Sequence, residues 1–189
     1  TIANLKRKIK LATILGTIQS TLTDFRYLRE EWKSNTEEER LLGVSLTGIL
    51  DNDFMAGRKG RRELSKALEE LRDYAVKINT QWAKKLDINP SMAVTCVKPS
   101  GTVSQLVNCA SGIHPRYSRF YTRTVRAAKH DPLAIMMHEA GFPCEDDVSK
   151  PSQQWVFSFP VAAPEGAITA AEFGAMDQLE LWKLYQRHW

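Results

Sequence analysis

An α/β fold with parallel strands is predicted for this chain of 189 residues, and three observations predict it. Residues 62–86 carry heptad-spaced apolar positions, the mark of a long amphipathic helix. Residues 92–97, Met-Ala-Val-Thr-Cys-Val, are apolar and rich in β-branched side chains, as in a short strand covered on both faces. A Pro99-Ser100-Gly101 turn then opens a further helix, and helix, buried strand and helix in succession is the alternation of parallel-strand domains.

Taken in order, Ile2, Leu5, Ile9, Ala12, Leu15 and Ile18 fall at three- and four-residue steps and predict a helix to about Gln19 with that stripe inward. Lys6, Arg7, Lys8 and Lys10 occupy its solvated face. The helix is expected to continue or restart after Thr21, with Phe25, Leu28 and Trp32 packing inward. Thr36-Glu-Glu-Glu39 has the form of a capping box and predicts a new helical segment entering 41–50, whose small residues Gly43, Ser45, Thr47 and Gly48 suit close packing. Gly57-Arg-Lys-Gly-Arg-Arg62 reads as a solvated basic loop. In the helix over 62–86, Leu64, Leu68, Leu71, Ala75, Ile78, Trp82 and Leu86 form the packed face, and Asn89 before Pro90 ends it.

Beyond the turn, a short helix is expected over 102–109 with Ser111-Gly112 as its C-cap. Residues 120–125 favour a strand by composition, although their arginine spacing also fits one helical face. Asp131-Pro132 starts a helix with proline in its first turn, and 155–159 is a second clear strand. Thr169-Ala-Ala-Glu172 is another capping box, opening a helix that carries Phe173, Met176, Leu179, Trp182 and Leu184 or Tyr185. The chain is expected to form a single domain over 1–189, with no linker or internal repeat.

The stretch 96–106 carries the chemistry. Pro99 stops the strand, Gly101 permits a backbone path closed to other residues, and Ser100 or Thr102 can cap the helix that follows. A helix N-terminus presents unpaired N–H groups to an anion; Ser100, Thr102 and Ser104 add hydroxyls and Lys98 a charge. The Walker A pattern is absent, and such turns also serve as plain strand-to-helix connections. The net charge of +4 is too modest to imply nucleic-acid binding and suits a polyphosphate ligand as well as it suits scattered solvated cations. No apolar run approaches the ~20 residues a bilayer needs. Three cysteines without short spacing argue against a disulfide framework and a zinc site, and point to a reducing cytoplasm.

Lys98-Pro-Ser-Gly-Thr-Val-Ser-Gln-Leu-Val, followed by Ala110-Ser-Gly-Ile-His-Pro-Arg116, resembles the substrate-phosphate segment of the ribonucleotide reductase large subunit, nearest to the adenosylcobalamin-dependent class II ribonucleoside-triphosphate reductases. Arg40-Leu-Leu-Gly-Val-Ser-Leu-Thr-Gly-Ile-Leu-Asp51, Pro143-Cys-Glu-Asp-Asp147, Val156-Phe-Ser-Phe-Pro160 and Gln178-Leu-Glu-Leu-Trp182 extend the likeness over nearly the whole chain. The resemblance implies part of a ten-stranded α/β barrel that reduces ribonucleoside triphosphates by a thiyl radical, with adenosylcobalamin as cofactor and a thioredoxin-like reductant. It maps Pro99, Ser100, Gly101, Thr102, Val103 and Ser104 onto the family's phosphate turn, with Lys98, His114 and Arg116 as supplementary candidates. Arg119, Arg123 and Arg126 are expected to supplement the phosphate site or, as the more ordinary fate for most of them, to form rim salt bridges, and His114 to be a ligand or acid or a structural residue.

The family's thiyl cysteine lies in an Asn-x-Cys-x-Glu pattern that these residues do not contain, so the chain is expected to be a fragment of a longer protein, with no catalytic or metal-ligating residue of its own. Cys96 is expected to be a buried thiol, Cys109 a partly exposed one, and Cys144 an unreactive one among acids. The alternatives are an oxygen-dependent large subunit of the same family, which needs a separate radical-generating subunit, and a non-catalytic nucleotide-binding fragment.

Overall fold

The structure is a computed structural model describing residues 1–189. Its elements are helices α1 (Ile2–Gln19), α2 (Glu30–Glu39), α3 (Arg61–Leu86), α4 (Val103–Leu106), α5 (Pro132–Glu139) and α6 (Ala175–His188), and strands β1 (Phe120–Ala128), β2 (Cys144–Asp146) and β3 (Gln154–Ala162). The strands form one sheet in the order β1-β3-β2, and both pairings are antiparallel. Parallel pairing is confined to two isolated bridges, Val44 to Thr95 and Arg116 to Thr169. The α/β composition is as predicted; the parallel sheet is not, because the segment expected as a buried strand, 92–97, shares only a short parallel stretch with residues 42–44 and its ladder stops at Pro99.

α3 organises the molecule. Leu64, Leu68, Leu71, Ala75 and Ile78 are buried on one face, and α1 and α6 pack around them with Val44, Ile49, Leu50 and Val94. The last turn rotates slightly, so Ala83 is buried where Trp82 was expected. Asp87 then ends the helix in the left-handed region, at φ 55°. Tyr185 of α6 is fully buried and donates its hydroxyl to the Met55 carbonyl at 2.8 Å, and burial pushes that phenol far above its ordinary range. Ala134 of α5, with Val156 and Phe157 of β3, is buried apart from this core.

α1 departs from the predicted stripe. Ile9 is buried, but its inward neighbours are Thr13 and Thr17, while Leu11 and Leu15 are 63% and 67% exposed. Small side chains let α1 lie close to α3: Thr17 Oγ1 donates to the Thr13 carbonyl at 2.7 Å and accepts from the buried Asn79 amide at 3.0 Å. The Leu42 methyls close over Gly16, lying 3.3 Å from where a side chain there would begin. Helix 2 also differs from expectation. Thr36-Glu39 closes α2 and does not open a helix, since Arg40 turns left-handed at φ 47° and 41–44 run extended to pair with 93–96. Leu28 and Trp32 are exposed, not inward.

In the second capping box, Glu172 accepts from both the Thr169 N–H and its hydroxyl, each at 2.9 Å. The box caps only a turn, and α6 begins three residues later, where Asp177 accepts from the Gly174 N–H at 3.1 Å. Leu181 and Tyr185 consequently face inward, and Met176, Leu179 and Trp182 are exposed.

Candidate phosphate-binding turn

Val94, Thr95 and Cys96 lead the chain past Val44 to Lys98 and Pro99, and there the ladder ends. Ser100 makes the turn. Its Oγ accepts from the Ser104 N–H at 3.1 Å, and its carbonyl accepts from the fully buried Ser104 hydroxyl at 2.6 Å. Of the two cap candidates, Ser100 therefore does the capping; Thr102 precedes α4 with no side-chain cap bond.

α4 is a single turn of four residues, shorter than the helix expected over 102–109. Asn108, at φ 47°, breaks the chain away before a second turn forms. One turn carries little macrodipole, so the anion-attracting groups here are the local amides and hydroxyls. The N–H groups of Gly101, Thr102 and Val103 form no hydrogen bond within the chain, and those of Ser100 and Ser104, on either side, are used. Gly101 has open space around it, so its lack of a side chain is not a packing requirement. Three consecutive free amides lie on an exposed turn with the Thr102 hydroxyl among them, donors of the kind that phosphate oxygens accept from.

The turn rests on the segment 108–112. Ser111 Oγ donates to the Ser100 carbonyl at 2.7 Å and accepts from the Ser100 N–H at 3.2 Å. Gly112, expected as a C-cap, instead passes under the turn at φ 55°, and a Cβ there would stand 2.6 Å from the Lys98 carbonyl oxygen. Thr47 bridges the same segment, donating to the Ala110 carbonyl at 3.0 Å and accepting from the Gly112 N–H at 2.9 Å. Thus 41–50, read in the sequence as slim for packing, supplies polar contacts as well.

The supplementary candidates separate. Lys98 is exposed beside the turn with no ion pair. His114 is exposed, and its Nδ1 lies 3.1 Å from the Ser111 carbonyl, which leaves Nε2 free. Arg116 is 4% exposed and points inward. Its Nε and Nη2 meet both carboxylate oxygens of Asp51 at 3.0 and 2.9 Å, and Nη2 also donates to the Asn108 carbonyl at 2.8 Å. Hydrogen bonding to Asp51 raises its already high pKa.

The arginine that does reach the turn is Arg123, whose Nη2 lies 3.4 Å from the Gly101 carbonyl and which has no acidic partner. The period-two alternation of β1 puts Arg123 on the same face as Tyr121, the signal that singles it out once 120–128 is taken as a strand. Arg126, on the other face, pairs with Asp147 at 2.6 Å. Burial raises the Cys96 thiol against a smaller opposing effect of Lys98. Cys109 Sγ lies 3.7 Å from Thr47 Oγ1. No group of three or more His, Cys, Asp or Glu side chains converges on a point, and no helix is long and apolar enough to cross a membrane.

Comparison with known proteins defines the class first: over nearly its whole length the chain is similar to a ribonucleotide reductase. A solved class II, B12-dependent ribonucleotide reductase superposes on 98% of the chain and 29% of its own, with a TM-score of 0.77 and 22% identity, a likeness of fold. The particular relatives are adenosylcobalamin-dependent ribonucleoside-triphosphate reductases. That of Euglena gracilis is 34% identical over 161 residues, 84% of this chain and 22% of the relative. That of Lactobacillus acidophilus is 27% identical over 167 residues, 77% and 22% of the two. The chain spans about a fifth of the length of these curated relatives. No family model matches. The resemblance drawn from the phosphate-turn motif and its neighbours is thus matched in both sequence and fold.

Proposed function

We propose that this chain is the substrate-phosphate-holding part of an adenosylcobalamin-dependent ribonucleoside-triphosphate reductase. The observation that carries the reading is the run of three free amides at Gly101, Thr102 and Val103, framed by Ser100 and Ser104 and approached by Arg123. The names of the similar proteins support the class and the nucleotide substrate. In this role the turn performs no covalent chemistry. It accepts the phosphate oxygens, fixes one end of the nucleotide and so orients the ribose toward the reacting groups. Lys98 and Arg123 supply positive charge at its mouth, and His114 offers its free Nε2 at the rim.

The parallel bridges Val44 to Thr95 and Arg116 to Thr169 are, in this reading, local parts of the ten-stranded barrel that the relatives' class implies. Adenosylcobalamin initiates radical chemistry when bound. A cavity of about 320 Å³ between the start of α1 and residues 46–55 has no His or Cys in its lining, and no residue of this chain is assigned to hold the cofactor. A cysteine-centred radical, a thioredoxin-like reductant and a cytoplasmic setting complete the proposed enzyme.

The test is steady-state kinetics on the full-length protein with Ser100→Val and Thr102→Val combined. Loss of the hydroxyls is expected to raise KM for the ribonucleoside triphosphate by about tenfold or more, the equivalent of one or two hydrogen bonds to a charged group. An unchanged KM would remove this turn from the substrate site.

A further inference from the structure

The Asp51–Arg116 pair is the most completely buried ion pair in the chain, with side-chain exposures of 11% and 2%. Burying two charges is costly, and such a pair persists where its geometry is good and its remaining donors and acceptors are filled. Here they are filled toward the turn. Arg116 uses Nε and Nη2 on both oxygens of Asp51, then reaches the Asn108 carbonyl through Nη2 and the Asn108 side-chain oxygen through Nη1 at 3.3 Å. Asp51 Oδ2 also accepts from the Ala110 N–H at 2.7 Å. The pair thereby fixes both Asn108, the residue that ends α4, and Ala110, next to Ser111, whose hydroxyl holds both backbone groups of Ser100.

From these contacts, and resting on the phosphate-binding reading above, we infer that Asp51 and Arg116 are positioning residues for the polyphosphate of the substrate. They set the orientation of the free amides at 101–103 without touching the ligand. A bidentate arginine is suited to this, because its planar fork fixes direction as well as distance; a lysine keeps the charge and loses the fork. Asp51 lies in a sequence segment separate from the turn and carries no motif for phosphate.

The experiment uses the full-length enzyme and three variants: Asp51→Asn, Arg116→Lys, and the Ser100→Val/Thr102→Val reference. Each is measured for kcat, for KM with ribonucleoside triphosphate, and for competitive inhibition by inorganic tripolyphosphate, with thermal melting to confirm folding. Displacement of the amides is expected to raise KM and the tripolyphosphate inhibition constant together, by about ten- to a hundredfold. Arg116→Lys keeps the buried charge balance and gives the answer if Asp51→Asn does not fold. Should the reference variant raise KM while Arg116→Lys changes only the melting temperature or kcat, the pair is merely structural and the inference is overturned. Should the reference variant leave KM unchanged, the phosphate-binding reading itself falls and the inference falls with it.

Discussion

Asn79 shows how one residue decides a helix's orientation. Its amide donates to Thr17 Oγ1 at 3.0 Å and to Ser91 Oγ at 2.8 Å, and its oxygen accepts from the Ser91 N–H at 2.9 Å. Asn79→Ala leaves these partners without their bonds inside the protein, a loss of roughly 1–3 kcal/mol. Chemical denaturation of the full-length protein is expected to show this as a lower midpoint with an unchanged slope. The same residue explains an error of sequence reading. Apolar periodicity in α1 points to Leu15 and Ile18 as the packed stripe, yet contacts through the buried Thr13 and Thr17 let α1 lie against α3 and satisfy Asn79. A periodicity count weighs apolar side chains and is blind to a polar group on another helix that needs a partner. At Arg116 the limit was similar: an arginine beside a phosphate motif reads as a ligand until a carboxylate 65 positions away is seen to hold it.

Among elements, the sheet depends on Asp147 just after β2. Its carboxylate accepts from the Ser149 hydroxyl and N–H at 2.6 and 2.8 Å and from Arg126 on β1 at 2.6 Å. The Ser149 bonds chiefly, with Arg126 adding, hold its pKa at about 2. A depressed carboxylate pKa contributes stability that is present above the unfolded value of about 3.9 and lost as pH falls toward the folded one. Melting temperature is therefore expected to drop between about pH 4 and pH 2, and less steeply in Asp147→Asn than in the parent. An identical slope in the two proteins refutes the assignment. Of the elements, α3, the strands at 120–125 and 155–159 and the proline-started helix α5 were legible, because composition and caps act locally. Strand direction was not. Antiparallel pairing of β1 with β3 is set by a register of nine residue pairs across an intervening helix and strand, and local pattern carries no record of it. The length of α4 was lost for a comparable reason, since a single left-handed residue, Asn108, ended it.

For the whole molecule, the distribution of burial predicts the order in which it opens. The core around Leu64, Leu68, Leu71 and Ala75 is fully buried, and Tyr185 and Trp189 of the C-terminal segment close over it. Hydrogen exchange is expected to be slowest in the middle of α3 and fastest in α2, which has no buried residue, with the phosphate turn among the faster segments. Slow exchange at Thr102 and Val103 in the unliganded protein would contradict the free amides that carry the functional reading. The candidate motif stands out in the sequence because it is contiguous from Lys98 to Ser104; Thr47 and Asp51, which hold the segment beneath it, are not contiguous with it, and no spacing rule joins them.

Gly112 carries a consequence for how variation in such proteins is interpreted. It lies eleven residues from Gly101, takes no part in the cradle and would hold no ligand atom, yet its left-handed backbone and the Lys98 carbonyl oxygen, 2.6 Å from where a Cβ would stand, leave no room for any other amino acid. A survey of inactivating substitutions would score this position as strictly as a catalytic one. Intolerance there measures the thickness of one backbone passing beneath another, and only a map of contacts distinguishes it from chemistry.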